Sequence, residues 1–348
     1  MKRLAPSHVQ RLRHPAGVLA VTALASATLA ATLGSAAWAA PAAPTAPAAH
    51  RAAAVSYRFE TRNNDHDVTF NQLLGINNEG MIVGYFGSGA HGHPNKGDRL
   101  HAPYHQGDYA NENFPGSRQT QVVGLNDVGV TVGFWSTQNK VSQVDNNFGF
   151  YAKHGHYHEV NFPASGVSDP PVDQLLGVNN SDVAVGFYTN AQGASRGYKY
   201  NIKTSRFSRV LLPGLHNLSA SVSLTATAIN SAGSVAGFYS VSGGTTFGFL
   251  KTASGHTTKL AFPGASMTQP FGVNDLSEVV GAYTLGTGSS AVTHGFTWTR
   301  KHGFTTVDDP HGIGTTIING VNDRGDLVGF YTDSAGNTDG MLAIRTHS

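Results

Sequence analysis

The sequence predicts an all-β fold: a six-bladed β-propeller of four-stranded blades, in which an N-terminal strand completes the last blade. Three observations predict this fold. One phrase recurs six times, as in GINNEGMIVGYF from Gly75 and GVNDRGDLVGFY from Gly320. Glycine is frequent, at 42 of 348 residues, and separates many short apolar runs, which is typical of all-β proteins. The two ends of the repeat region carry complementary parts of one unit.

The chain begins with a segment that resembles a secretory leader. Residues 1–39 have a basic start, an Ala-, Leu- and Val-rich run, and the small-x-small sequence Ala37-Trp38-Ala39, which together predict a cleaved signal peptide. An uncleaved anchor is the alternative, but the apolar run is short for a membrane span and is diluted by Ala, Thr and Ser. Residues 40–54 are rich in Pro and Ala and are predicted to be a disordered linker. The repeat domain is then 55–348.

Charge and cysteine content exclude several function classes. Four of the 23 Lys and Arg residues and none of the 21 Asp and Glu residues lie within 1–39, so cleavage would leave a net charge of −2. No basic stripe remains to neutralise phosphates, and we expect no nucleic-acid partner. The chain has no cysteine, which excludes disulfides, a thiolate nucleophile and Cys metal ligands. Its stability must come from burial.

Each repeat is predicted to contain four short strands, a to d. The repeated asparagines are spaced by 49, 53, 51, 44 and 48 residues, a period typical of propellers and solenoids. Strand a precedes this asparagine, strand b carries a V-G-x-Y phrase, strand c carries an h-G-F phrase, and strand d leads to F-P-G. In the first unit the c phrase is assigned to HAPY at 101–104. The glycine of strand b predicts close packing of a neighbouring sheet.

The chain ends predict how the first and last units are joined. The sixth unit stops after its c phrase, near Met341, and has no d strand. An unmatched strand, VSYRFET at 55–61, lies before the first a strand. The N-terminal strand therefore completes the last blade, which removes sheet edges that would invite aggregation.

The repeat resembles a known bacterial family. G-x-N-x-x-G-x-x-V-G-x-Y, followed by h-G-F and F-P-G, is similar to the HAF-type extracellular repeat of bacterial secreted proteins, in six copies over nearly all of 55–348. The resemblance implies secretion and a repeated β architecture. It implies no defined activity, catalytic residue or cofactor.

The repeated asparagines are interpreted as turn residues. Each lies where strand a turns into strand b, usually before Asp, Asn or Ser and then Gly, and such side chains bond their own backbone in turns. The acids beside them do not match a calcium loop. These residues are Asn77, Asn126, Asn179, Asn230, Asn274 and Asn322.

Four units carry a glutamine five residues before the asparagine. If strand a is the innermost strand, these glutamines form a partial amide ring near one mouth of the channel, where a ligand or ordered water could bind. The alternative is that each bonds backbone between blades, since buried amides need partners in any case. They are Gln72, Gln121, Gln174 and Gln269.

Catalytic and metal motifs are sparse. The sequence has no G-x-S-x-G, no P-loop and no H-E-x-x-H. Pairs such as His91 and His93 could bind zinc or copper, but no third ligand follows at a telling spacing, and surface or turn histidines are the favoured interpretation. We expect no metal site and no cofactor. An enzyme would have to draw its carboxylates from loops, such as Asp145, Asp169 and Asp173.

Loop variation points to one face. In a four-stranded meander the b–c and d–a connections emerge together, and these are the connections whose lengths vary, which is either ordinary drift or the mark of a binding face. The candidate ligand-binding residues there are Trp135, His91, His93, His216 and His311, with Tyr188 nearby.

The sequence thus predicts a secreted binding or adhesion module without catalysis, acting on extracellular glycans. The protein would be extracellular or periplasmic, without a membrane span after cleavage, and a monomer whose partner on the b–c/d–a face is a glycan or a surface protein. The alternatives are a hydrolase or lyase acting on an extracellular polymer through loop carboxylates, and a purely structural surface protein.

Overall fold

The computed structural model describes residues 55–346, except 91, 139–145, 165, 216–221 and 242–243. The predicted leader and linker, 1–39 and 40–54, lie outside the described residues. So do the candidate residues His91 and His216.

The described chain is built from short strands. In chain order they are β1 Ser56–Thr61, β2 Asn71–Ile76, β3 Ile82–Phe86, β4 Lys96–Leu100, β5 Tyr109–Asn111, β6 Gln119–Leu125, β7 Val130–Ser136, β8 Phe148–Lys153, β9 His156–Val160, β10 Asp173–Val178, β11 Val183–Thr189, β12 Ser195–Asn201, β13 Arg206–Arg209, β14 Val222–Ile229, β15 Val235–Val241, β16 Thr246–Lys251, β17 Thr257–Leu260, β18 Met267–Val273, β19 Val279–Leu285, β20 Val292–Thr299, β21 Gly303–Thr306, β22 Thr316–Val321, β23 Leu327–Thr332 and β24 Thr338–Thr346. Short 3₁₀ helices, Gln106–Asp108 and Gly288–Ser290, lie between strands.

These strands form antiparallel sheets of four, so the predicted all-β class is confirmed. Units 1, 2 and 3 are the sheets β2–β5, β6–β9 and β10–β13. Unit 4 comprises β14–β17 and unit 5 comprises β18–β21; one parallel pair, Thr246 with Met267, joins them into a single hydrogen-bonded sheet. Unit 6 comprises β22, β23, β24 and β1.

The last sheet contains both ends of the described chain. Strand β1 pairs antiparallel with β24 from Ser56 opposite Thr346 to Thr61 opposite Met341, as the sequence predicted. The connection from β1 to β2, residues 62–70, therefore has the same place as the d–a connections elsewhere. Unit 6 also lies against unit 1, since a Cβ on Gly320 would meet the backbone of Gly75.

The glycine of strand b has a different cause from the predicted one. A Cβ on Gly84 would collide with the carbonyl oxygen of Gln72, which is in the neighbouring strand of the same sheet, where a β-bulge lies between Leu73 and Gly75. The prediction that a neighbouring sheet demands this glycine is therefore wrong. The glycine of strand a has that role, because a Cβ on Gly124 would lie 2.7 Å from the carbonyl oxygen of Leu176 in the next unit.

Strand c of unit 1 also differs from the prediction. It is β4, Lys96–Leu100, rather than HAPY at 101–104, which follows the strand. Its Gly97 takes the place of the h-G-F glycine, and Asp98 takes the place of the aromatic residue. A charged residue in that position concealed the strand, because acidic side chains are rarely buried.

The core follows from this register. The residue opposite each strand-b glycine is fully buried in the other units, as for Phe150 opposite Gly133 and Tyr198 opposite Gly186. Strand order places the b–c and d–a connections of all units at the same ends of the strands. We call this end the loop face.

Candidate functional site

The six repeated asparagines hold both their own turn and the next unit. In each, Oδ1 accepts a hydrogen bond from the backbone N–H four residues on; for Asn126 this donor is Val130, at 2.8 Å. The Nδ2 of Asn126 donates to the carbonyl oxygen of Asn179 at 3.0 Å. The same bond to the next unit runs from Asn77, Asn179, Asn230 and Asn274. Asn322 instead donates to Asp326 at 3.1 Å.

The four glutamines are buried. Gln121 and Gln174 donate to asparagine side chains of the preceding unit, Asn95 at 2.9 Å and Asn147 at 2.6 Å. Gln72 accepts from the hydroxyl of Tyr85 at 2.8 Å, and Gln269 is 5% exposed. The partners of Gln72, Gln121 and Gln174 are neighbouring side chains, where the sequence suggested an amide ring or backbone partners. The amide ring at a channel mouth stays a prediction.

Trp135 belongs to a repeated aromatic contact, which we call the aromatic staple. The phenylalanine of each F-P phrase lies parallel to the last aromatic residue of strand b in the next unit. Phe114 stacks on Trp135 with ring centroids 4.5 Å apart, and Phe162 stacks on Tyr188 at 4.7 Å. Phe262 stacks on Tyr283 at 3.5 Å. The staple engages the indole and phenol rings that the sequence analysis placed on the loop face.

A cap accompanies the staple. The backbone N–H of the F-P phenylalanine donates to a side chain within the first two residues of the following strand a, as Phe162 does to Asp173 at 2.7 Å and Phe114 to Thr120 at 3.1 Å. Asn64 donates in the same way to Asn71 at 2.9 Å. Position 64 is therefore equivalent to the F-P phenylalanine, with asparagine in its place.

Two connections depart from the staple in the same way. Residues 62–70 and 307–315 have equal length, and each replaces the phenylalanine by a polar residue with histidine two positions on. We call them the twin loops. His66 donates its backbone N–H to Asn64 Oδ1 at 3.1 Å, and His311 bonds Asp309 Oδ1 likewise at 2.8 Å.

The imidazoles of the twin loops lie near the strand-b aromatics that phenylalanine covers elsewhere. His66 stacks on Phe86 with centroids 5.7 Å apart, and the His311 ring is 6.2 Å from that of Tyr331. His66 and His311 are exposed. Two positions beyond each histidine, an apolar side chain faces solvent: Val68 is 54% and Ile313 is 63% exposed.

Beneath the first twin loop lies a buried polar pair. Asn64 donates to a carboxylate oxygen of Asp98 at 2.9 Å, where unit 2 has Phe114 against Phe150. Asp98 is 4% exposed, and burial raises its pKa to about 7 although the Asn64 bond opposes the shift. A hydrogen bond thus replaces an aromatic contact, and the carboxyl group is close to its titration point at neutral pH.

Asp339 lies between the twin loops. Asn63 Nδ2 donates to its Oδ1 at 2.7 Å, and Asn63 Oδ1 accepts from the backbone N–H of Gly340 at 2.9 Å. Burial raises the pKa of Asp339, and the charges of Asp333 and Asp309 add to that effect, against hydrogen bonds from Asn63 and Tyr331. Asp339 is therefore hydrogen-bonded to Asn63 of the first twin loop and interacts electrostatically with Asp309 of the second.

Several buried polar atoms here lack a protein partner. They are the Oδ2 of Asp309 in the second twin loop, and the Nε2 of Gln72 and the hydroxyl of Tyr109 in unit 1. The side chain of Asp309 is 1% exposed. Because nearly all buried polar atoms in proteins are paired, such a group calls for an explanation. We define the twin-loop site as Asn63, Asn64, His66, Asp98, Asp309, His311, Tyr331 and Asp339.

His93 and His311 both pair with carboxylates on the loop face. His93 Nδ1 lies 2.7 Å from Asp67 Oδ2. Burial alone would raise the pKa of Asp67, but hydrogen bonds from Thr69 and His93 outweigh it, and the pKa is lowered. Within the described residues, no group of three or more His, Cys, Asp or Glu side chains has a metal-binding arrangement.

Most of the twin-loop site was not predicted from the sequence. Its motifs indicated His311 as a candidate, but not Asn63, Asn64, Asp98 or Asp339. A signal was present: aligning 61–66 with the end of strand d elsewhere places N-D-H over F-P-G. That alignment requires β1 to be treated as a d strand of the last unit.

Comparisons with known proteins give a remote likeness of fold. No protein-family model matches the chain, and no curated relative matches it. Among solved structures, AofleA from Arthrobotrys oligospora is 10% identical, with a TM-score of 0.46 over 81% of this chain and 85% of that one. The Aleuria aurantia lectin is 9% identical, with a TM-score of 0.40 over 78% and 92%. A PL25 ulvan lyase is 14% identical, with a TM-score of 0.40 over 78% and 77%.

These comparisons do not bear on what this chain binds, because every reported TM-score is below 0.5.

A separate question is whether any helix is able to span a membrane. No helix in the described part of the chain has the length and hydropathy to cross a membrane.

Proposed function

We propose that the protein is an exported six-bladed β-propeller of HAF-type repeats that binds glycans at its twin-loop site without turning them over. Support for a closed propeller comes from the return of unit 6 to unit 1. The backbone N–H of Asp323 donates to Asn78 Oδ1 at 2.8 Å, the same kind of bond that Asp275 makes to Asp323 at 2.9 Å.

The observation that carries the binding proposal is the exchange of the aromatic staple for hydrogen-bonding side chains at the twin loops. Amide, carboxylate and imidazole groups lie together there on the loop face, beside the exposed Val68 and Ile313. A sugar presents hydroxyl groups on one edge and C–H groups on its faces, and this mixture suits both. Binding groups also tend to lie on loops held by a rigid scaffold.

A binding role without catalysis is favoured by how the carboxylates are engaged. Asp98 and Asp339 each accept a hydrogen bond from an asparagine amide. A carboxylate held in this way is positioned to accept a ligand hydroxyl. A hydrolase or lyase is the second candidate, because Asp309 and Asp339 interact electrostatically beside Tyr331, and glycoside hydrolysis needs two carboxyl groups that flank one bond.

The experiment is a thermal-shift and calorimetric screen of the purified protein against neutral, amino- and uronic-acid oligosaccharides. A ligand at 100 times its dissociation constant stabilises the native state by about 2.7 kcal/mol. We expect saturable binding with no new reducing ends and no unsaturated products after prolonged incubation. Product formation would replace the binding proposal by the catalytic candidate, and a panel without any hit would reject both.

Asn63→Ala and Asn161→Ala form a matched pair for this screen. Both asparagines accept a hydrogen bond from a strand-c glycine, Gly340 at 2.9 Å and Gly149 at 3.3 Å. Only Asn63 contacts Asp339; Asn161 donates to Glu159 at 2.7 Å. We expect similar losses of stability, with loss of binding in Asn63→Ala alone. Equal affinities in the two variants would move the site away from the twin loops.

A further inference from the structure

We propose that the ligand of the twin-loop site carries a primary ammonium group, as an amino sugar with a free amine does, seated between Asp309 and Asp339. The inference rests on the proposed glycan-binding function and specifies its ligand class. Two independent features carry it: an unpartnered buried carboxylate oxygen, and an uncompensated group of negative charges.

The first feature is Asp309 itself. Its Oδ1 accepts from the backbone N–H of His311 at 2.8 Å and lies 3.1 Å from the Nδ1 of that ring. Its Oδ2 is buried and has no hydrogen-bond donor. Leaving a buried acceptor unpaired is costly, and more so when it is charged. A ligand N–H would supply the missing donor.

The second feature is the charge around Asp309. Asp339 lies opposite Tyr331 in the β23–β24 pair, and Asp309 donates its backbone N–H to Thr316, which lies opposite Tyr331 in the β22–β23 pair. The charges of Asp333 and Asp309 both raise the pKa of Asp339. Among the ion pairs of the described residues, none joins Lys or Arg to these three carboxylates. Arg62, on the first twin loop, pairs with Glu60 instead.

The cationic ligand follows from these two features together. An ammonium group donates three hydrogen bonds and carries the charge that the carboxylates lack. A uronic acid would bring a further negative charge beside them, and like charges brought together across an interface are strongly disfavoured. A neutral sugar would fill the hydrogen bonds and leave the repulsion in place.

The test compares glucosamine oligomers with N-acetylglucosamine oligomers of equal length, which differ only in the free or acetylated amine. Asp309→Asn is the informative variant, because it copies Asn64 of the other twin loop and should fold. Asp308→Asn is its charge-matched control, since that carboxylate is engaged with His294 and Gly295. Oligolysine of similar charge controls for non-specific attraction.

We expect the amino oligomer to bind the wild type about tenfold or more tightly than the acetylated one, as for a hydrogen bond to a charged group. Asp309→Asn should remove that preference, and Asp308→Asn should keep it. Equal affinities for the two oligomers, an unaffected Asp309→Asn variant, or equal binding of oligolysine would each overturn the inference. Binding of neutral saccharides alone would do so too while leaving the proposed function standing, whereas no binding at all would reject both.

Discussion

The aromatic staple and the twin loops occupy equivalent places in the repeat, but the staple packs aromatic rings where the twin loops form hydrogen bonds. In units 2, 3 and 5 a phenylalanine such as Phe162 covers the top of the following sheet and stacks on Tyr188. In units 6 and 1 a polar residue takes that place, and Asn64 bonds Asp98. The scaffold tolerates both because the backbone cap to strand a is the same. Three repeats use aromatic contact at this position, and the connections that lead into units 6 and 1 use hydrogen bonding.

The largest expected effect is the loss of a staple. Phe162→Ala removes the stack on Tyr188, a tilted contact with Tyr198 and an edge contact with Phe207, so the free energy of unfolding should fall by about 3–5 kcal/mol. Asn64→Ala should cost about 1–3 kcal/mol, the usual penalty for removing one partner of a buried hydrogen bond. Urea denaturation of both variants measures the difference. Equal losses would mean that the two designs stabilise the protein alike.

The buried carboxyl group of Asp98 predicts a pH dependence. Its folded pKa, about 7, is above its ordinary 3.8, so the folded state binds more protons in this range and stability falls as pH rises from about 4 to about 7. A rise in pKa of this size changes the free energy of unfolding by at most about 4 kcal/mol. Asp98→Asn should remove this slope in denaturation curves measured across the range.

Asp173 is the control in a stapled unit. Burial raises its pKa to about 7 as well, against hydrogen bonds from Tyr198 and Phe162. Asp173→Asn should therefore keep the slope that Asp98 contributes, and Asp98→Asn should keep that of Asp173. If Asp98→Asn retained the whole wild-type slope, Asp98 would have to titrate at its ordinary pKa.

The sequence predicted the regular part of this molecule and missed the exception. Turn chemistry explains the success: Asn126 and its counterparts repeat because each closes the same turn. The burial of Asp98 was not predicted, because an acidic residue is expected at the surface unless a partner such as Asn64 is known. Asn64 was not predicted because its equivalence to phenylalanine depends on the pairing of β1 with β24, two strands that are far apart in the sequence.

Trp135 tests the boundary between the two regions. The sequence nominated it as a ligand-binding aromatic, and the structure stacks it on Phe114, with Phe148 at a centroid distance of 5.0 Å. Trp135→Leu should lower stability by about 1–3 kcal/mol through lost packing and leave glycan affinity unchanged. Calorimetric titration of this variant with a ligand found in the screen decides the point. A weakened affinity with an intact fold would return Trp135 to the binding face.

The smallest effect on stability is expected at the exposed imidazole of the second twin loop. His311→Ala removes a ring whose side chain is 70% exposed, so the free energy of unfolding should change by no more than about 0.5 kcal/mol. Binding should nevertheless weaken, because the ring lies beside Tyr331 at the rim of the site and its Nδ1 engages Asp309 Oδ1. His302→Ala, at a c–d turn on the opposite end of the strands, is the matched control. Loss of affinity in His311→Ala alone would show that this side chain contributes to binding and not to stability. Equal affinities of His311→Ala and His302→Ala would give the second twin loop a structural role only.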